Sequence, residues 1–183
     1  SNRLLLGRDV FEQGAAVVLL QGGVQIKTVV SQGCRPIGQH FVITKSERNV
    51  IQELGGIPAY RRLEELFQTL PTRDQKMVQH GLHVGRVVNE YQDEFEQGDF
   101  LIRNVVGVDP EERTIAITDY VRPGQTVQFH IRDADTADAE LRQLLSQVEE
   151  PIAAALLFTC NGRGTRLFSE PHHDALAIKN VAG

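Results

Sequence analysis

The chain predicts an α+β fold: a largely antiparallel sheet with helices packed on one face. Three observations carry this expectation. Short alternating or apolar runs dominate the start and the middle, helical periodicity appears in a few separate stretches, and most connections are short and polar. The order is strands, helix, several strands, helix, strand, helix. That is neither a regular βαβ alternation nor an all-β pattern.

Residues 15–20 and 24–30 are β-like runs joined by Gln21, Gly22 and Gly23, a connection that favours a hairpin. Residues 39–44 read as a third strand. Residues 58–70 read as a helix, because Ala59, Leu63, Leu66, Phe67 and Leu70 fall on one face and Pro58 suits a first turn. Residues 72–79 suggest a further short helix ending near Gly81. Strands over 100–108 and 114–118 flank a polar turn with Pro110 at its second position. Residues 126–132 alternate, with Val127, Phe129 and Ile131 on one face and Gln128, His130 and Arg132 on the other. Residues 136–148 predict a helix capped by Asp135 or Thr136. Residues 154–159 are apolar on both faces and predict a central strand. Ser169, Glu170 and Pro171 announce a last helix.

At 183 residues the chain can bury one sizeable core. With 41% hydrophobic and 23% charged residues it is an ordinary globular composition, not a disordered one. The formal net charge is -5 and no Lys/Arg run occurs, which argues against nucleic acid as a partner. The longest apolar stretch, residues 152–158, is too short to cross a bilayer. Ser1 and Asn2 read as the remnant of an expression tag. Two cysteines and no secretory signal favour reduced thiols in a cytoplasm.

Two glycine-bracketed loops hold the candidate chemistry. One is residues 33–38, with Cys34, Arg35 and Pro36; the other is Cys160, Asn161, Gly162, Arg163 and Gly164. Each sets a thiol and a guanidinium beside residues that let the backbone turn sharply and approach a small anion. Two plainer readings stand beside this. Arg163 can satisfy an internal carboxylate such as Asp174, and residues 33–38 can simply bend between strands. Cys160 as a nucleophile needs a base, with His172 or His173 nearest in sequence. A metal at His172, His173, Asp174 and Cys160 lacks zinc-site spacing. No metal, cofactor or catalytic residue is therefore expected. The acidic stretch 90–96 reads as a solvated face with Tyr91 and Phe95 inward.

Six segments in order resemble the FIST family, specifically its C-terminal domain. They are residues 30–38 (VSQGCRPIG), 55–59 (GGIPA), 99–103 (DFLIR), 128–134 (QFHIRDA), 157–164 (LFTCNGRG) and 167–174 (LFSEPHHD). The resemblance runs from about Val24 to Gly183. It implies that residues 1–30 hold a tag remnant and the final hairpin of a preceding N-terminal FIST region. Residues 31–183 would then be the C-terminal domain, incomplete at its end.

The resemblance further implies an intracellular sensory or signal-transduction module that binds a small ligand, an amino acid or other carboxylate, and is not an enzyme. The ligand residues it implies are Cys34, Arg35, Arg103, Cys160, Asn161, Gly162, Arg163, Gly164 and Asp174, with the three arginines as anchors for the anion. A signalling protein is the expected partner, without nucleic acid or membrane. Two other readings stay open: a protein-interaction scaffold without a small ligand, and a cysteine-dependent enzyme or redox sensor.

Overall fold

A computed structural model describes residues 3–92, 94–95, 98–148, 151–160 and 162–182, the last without its side chain. Nine strands and four α-helices are described: β1 Leu4–Leu6, β2 Asp9–Phe11, β3 Cys34–Glu47, β4 Val50–Leu54, β5 Ile57–Pro58, α1 Ala59–Thr69, α2 Thr72–Gly81, β6 Leu82–Val87, β7 Phe100–Asp109, β8 Thr114–Ile117, β9 Thr126–Arg132, α3 Ala134–Ser146 and α4 His173–Ala182. The fold is α+β with antiparallel strands throughout. β1 and β2 form a separate hairpin. The other seven strands run in the order β3-β9-β6-β7-β8-β4-β5, and β3 also pairs with β4. That last pairing closes six strands into a barrel, with β5 appended to β4.

Closure is built into β3. Its first half pairs with β9, Cys34 opposite Arg132 and Ile37 opposite Phe129, while its second half turns into a hairpin with β4. Register shifts between Ile37 and His40, and again near Lys45, bend the strand enough to serve both neighbours. The main core takes side chains from every barrel strand, including Ile43, Ile51, Val84, Val105, Ile115 and Phe129. Each fully buried isoleucine of this kind stabilises the fold by about 1.5–3 kcal/mol. Helix α1 adds Ala59 and Leu63, and α2 adds Met77 and Val78.

β6 escapes recognition in the sequence because Gly85 interrupts its alternation. The glycine is required there: a Cβ on it would run into the His130 ring and lie 2.9 Å from the Phe100 Cβ.

A second, smaller cluster joins α3 to α4 through Leu141, Leu145 and Ala177, with Val29 and Ile178 at its rim. The cap of α3 is Asp133, not Asp135 or Thr136. Asp133 is extended, directly follows β9, and accepts from the Asp135 backbone N–H at 3.3 Å.

Three expected strands are absent. Residues 15–20, 24–30 and 154–159 lie outside any ladder. Val17 is 82% exposed and Phe158 89% exposed, where a central strand would be covered on both faces. Ring closure explains part of the difference: every strand of the barrel already has a neighbour on each side, so these runs find no barrel edge to join. Tyr91 is likewise solvent-facing, whereas Phe95 packs edge-on against Phe100.

Candidate functional site

The two loops meet. Gly33 has φ +64°, and its missing side chain leaves room for the other loop. A Cβ there would sit 2.6 Å from Arg163 Nη1 and 2.8 Å from the Ala137 Cβ. Helix α3 holds the first loop from below. The Gly33 backbone N–H donates to Glu140 Oε2 at 2.8 Å, and the Ser31 hydroxyl donates to the same oxygen at 2.6 Å.

Arg163 is committed to the protein. Its Nε and Nη2 donate to the two Asp174 oxygens at 2.5 and 2.8 Å, and both side chains are buried. This two-point pair lowers the Asp174 carboxyl below its usual range. The guanidinium also lies over the Phe168 ring, which stacks on His173 at 3.6 Å. Arg163 Nη1 has no hydrogen-bond partner among the described residues.

Arg35 and Arg103 are committed elsewhere. Arg35 faces the other side of β3 from Cys34; its Nη2 donates to Asp74 at 2.6 Å and its Nε to Asp133 at 3.3 Å. Arg103 donates from Nε to Asp119 at 2.8 Å, on the β7–β8 side of the barrel. Neither guanidinium joins Arg163. Gly164, with φ +71°, starts a short 3-10 turn, Gly164–Arg166. Asn161 lies outside the described residues.

Arg132 is the residue the two loops share. On β9 it stands opposite Cys34, and its Nη1 lies 3.9 Å from Cys160 Sγ. Gly162 packs so closely that any Cβ on it would run into that guanidinium nitrogen. Arg132 Nε is buried without a partner, and no carboxylate pairs with Arg132 among the described residues. The sequence did carry a signal: Arg132 closes the polar side of an alternating strand inside a family-like segment. Its partners, in distant loops, were not legible.

The two thiols respond differently to this setting. Burial pushes the Cys34 thiol up, against the opposing charges of Arg132 and Arg163. Burial also pushes Cys160 up, but backbone hydrogen bonds from Gly162 and Arg163 and the Arg132 charge outweigh it. The net effect is a Cys160 thiol below its ordinary value. Neither cysteine forms a disulfide.

Beside this junction a cleft of about 780 Å³ opens between α2 and the second loop. Arg73, Lys76, His80, His83, Arg132 and Arg166 line it, together with Gly162, and among the described residues no carboxylate does. Burial, then the charge of Arg132, lowers the His83 pKa, so this imidazole stays neutral near pH 7. No group of three or more His, Cys, Asp or Glu side chains suited to a metal occurs among the described residues. No described helix is long and apolar enough to cross a membrane.

A closed antiparallel barrel, flanked by helices and carrying a cationic cleft where the two glycine-bracketed segments meet, defines an α+β module. Comparison with known families places it further. The family model described as FIST N domain matches residues 2–57, and that described as FIST C domain matches residues 59–183. The chain belongs to the FIST family. FIST domains are in general sensory and signal-transduction domains.

The boundary between the two matches divides the barrel, which takes β3 and β4 from one and β6 to β9 from the other, and it falls at β5. An uncharacterized protein of Mycobacterium tuberculosis is 43% identical over 99% of this chain, and one of Mycobacterium bovis is 42% identical over the same share. The chain spans 48% of the length of each, about half of these curated relatives. No solved structure matches the chain significantly.

Proposed function

We propose that this chain is a cytoplasmic sensory module that binds a small carboxylate ligand, of amino-acid type, in the cleft at Arg132. It acts by binding, without catalysis. The observation that carries this reading is the state of the four arginines. Arg35, Arg103 and Arg163 are each neutralised by an internal aspartate, whereas Arg132 faces a cationic cleft with no carboxylate partner among the described residues. A ligand carboxylate supplies the missing acceptor, and the planar fork can receive it through two parallel bonds. Lys76 and Arg166 add the field that draws an anion in.

Output through a protein partner is supported by a separate observation. Leu19, Leu156 and Phe158 are 76%, 71% and 89% exposed, apolar side chains in segments outside the sheet that are available for contact with another protein.

The test is a thermal-shift screen of amino acids and small dicarboxylates on this chain and on Arg132→Gln. A ligand at about a hundred times its Kd stabilises the native state by about 2.7 kcal/mol. The expected result is a rise in Tm for the parent and none for the variant. An equal rise in both proteins would place the ligand elsewhere. No rise with any carboxylate would overturn the reading.

A further inference from the structure

Where the loops converge, two thiols and two guanidinium groups share one small region. Cys160 is solvent-exposed, yet its sulfur lies 3.9 Å from Arg132 Nη1, and the Arg163 backbone N–H turns back to the Cys160 carbonyl at 3.1 Å, curling the loop at this residue. A guanidinium at this distance favours a negatively charged sulfur. The absence of a side chain on Gly162 lets the loop close over Arg132.

A second feature is independent of the cysteine. Two buried donors at this junction have no acceptor among the described residues, Arg132 Nε and Arg163 Nη1. The second belongs to a side chain only 8% exposed, held against Gly33, and the Arg163 charge acts on both thiols. Buried donors of this kind are costly unless something accepts from them. An oxygen added to the Cys160 sulfur would bring an acceptor to the Arg132 guanidinium.

We propose that Cys160 is a modification site, a peroxide-responsive thiol whose sulfenate oxygen is held at the Arg132–Arg163 junction. The oxidant is hydrogen peroxide or an organic hydroperoxide. The thiolate attacks the terminal hydroperoxide oxygen; the S–O bond forms as the O–O bond breaks. Sulfur gives up two electrons, the peroxide takes them, and hydroxide or alkoxide leaves and is protonated by water. The attacked oxygen keeps its proton, so the first product is the sulfenic acid, which then loses that proton to solvent. Cys34 serves as an internal contrast. It is buried in β3 and its thiol is held in the protonated form, so it stays unmodified.

The experiment treats the full chain with hydrogen peroxide in the presence of dimedone and maps the adducts by peptide mass spectrometry. The expected adduct is on Cys160 and not on Cys34, and it forms faster in the folded chain than in the chain unfolded in urea. Arg132→Met should slow it by roughly tenfold, the effect of one unit in thiol pKa on the thiolate fraction, and Arg132→Lys should recover much of the rate. Equal labelling of the two cysteines, or a Cys160 rate unchanged by unfolding, would overturn the proposal. The comparison with the unfolded chain stands even if an Arg132 variant fails to fold.

Discussion

Lowering the pH from about 7.5 to about 4.5 is expected to destabilise the fold through His130. This imidazole is 1% exposed. It stands on β9 between Pro36 of β3 and His83 of β6, and meets Phe100 of β7 edge-on at 5.0 Å. Nδ1 lies 3.0 Å from the Gln128 carbonyl, to which its N–H donates. Burial lowers its pKa from 6.5 to about 4; the hydrogen bond to Gln128 opposes the shift, and the neighbouring His83 adds slightly to it.

The sign follows from proton binding. The folded value lies below the unfolded one, so the unfolded chain takes up the proton first as pH falls. The contribution of His130 is fully present above about pH 6.5 and is lost as pH falls towards 4. The whole displacement corresponds to about 3 kcal/mol, a large share of the 5–15 kcal/mol typical of a domain.

Urea unfolding of the parent and of His130→Asn at both pH values isolates this effect. The asparagine amide can keep the donor to the Gln128 carbonyl, and carboxylates titrate alike in both proteins. The parent should lose about 2 kcal/mol more than the variant across this range. Parallel losses would refute the reasoning, as would an NMR titration that finds His130 ionising near the ordinary imidazole value.

Other substitutions test the packing. Gly85→Ala should cost about 1–3 kcal/mol, because the new methyl group meets the His130 ring and Phe100; a denaturation midpoint equal to the parent's would contradict the close approach. Arg163→Lys keeps the charge but loses one of the two bonds to Asp174, so Tm should fall by an amount corresponding to about 1–3 kcal/mol whether or not ligand is present. If that variant melts with the parent and only ligand binding weakens, Arg163 belongs to the ligand and not to the scaffold. Arg132→Gln should show the converse, near-parental melting with no carboxylate response.

Apolar periodicity located α1, α3 and β9, since each presents one apolar face at a regular spacing, and runs on either side of a polar turn located β7 and β8. Ordered motifs, rather than periodicity, pointed to the family. Three kinds of information were not in any local window. The first is barrel closure, which depends on β3 bending to pair with both β9 and β4; a pattern of alternation cannot say which strands are neighbours. The second is the fate of residues 154–159. Their apolarity marks a segment suited to burial, but only the completed ring shows that no barrel edge remains for it.

The third is the allocation of charge partners. Arg35, Arg132 and Arg163 are equal as residues. Asp74, Asp133 and Asp174 neutralise two of them because helix placement brings those carboxylates within hydrogen-bond range. The sequence determined that two thiols and two guanidinium groups would stand beside glycines; the structure puts Cys34 and Arg35 in β3 and only Cys160 and Arg163 in a loop. Tertiary structure alone decided that Arg132, one residue short of a helix cap, would be the group left facing the cleft. Coulomb energy depends on distance through space, and sequence separation does not report it.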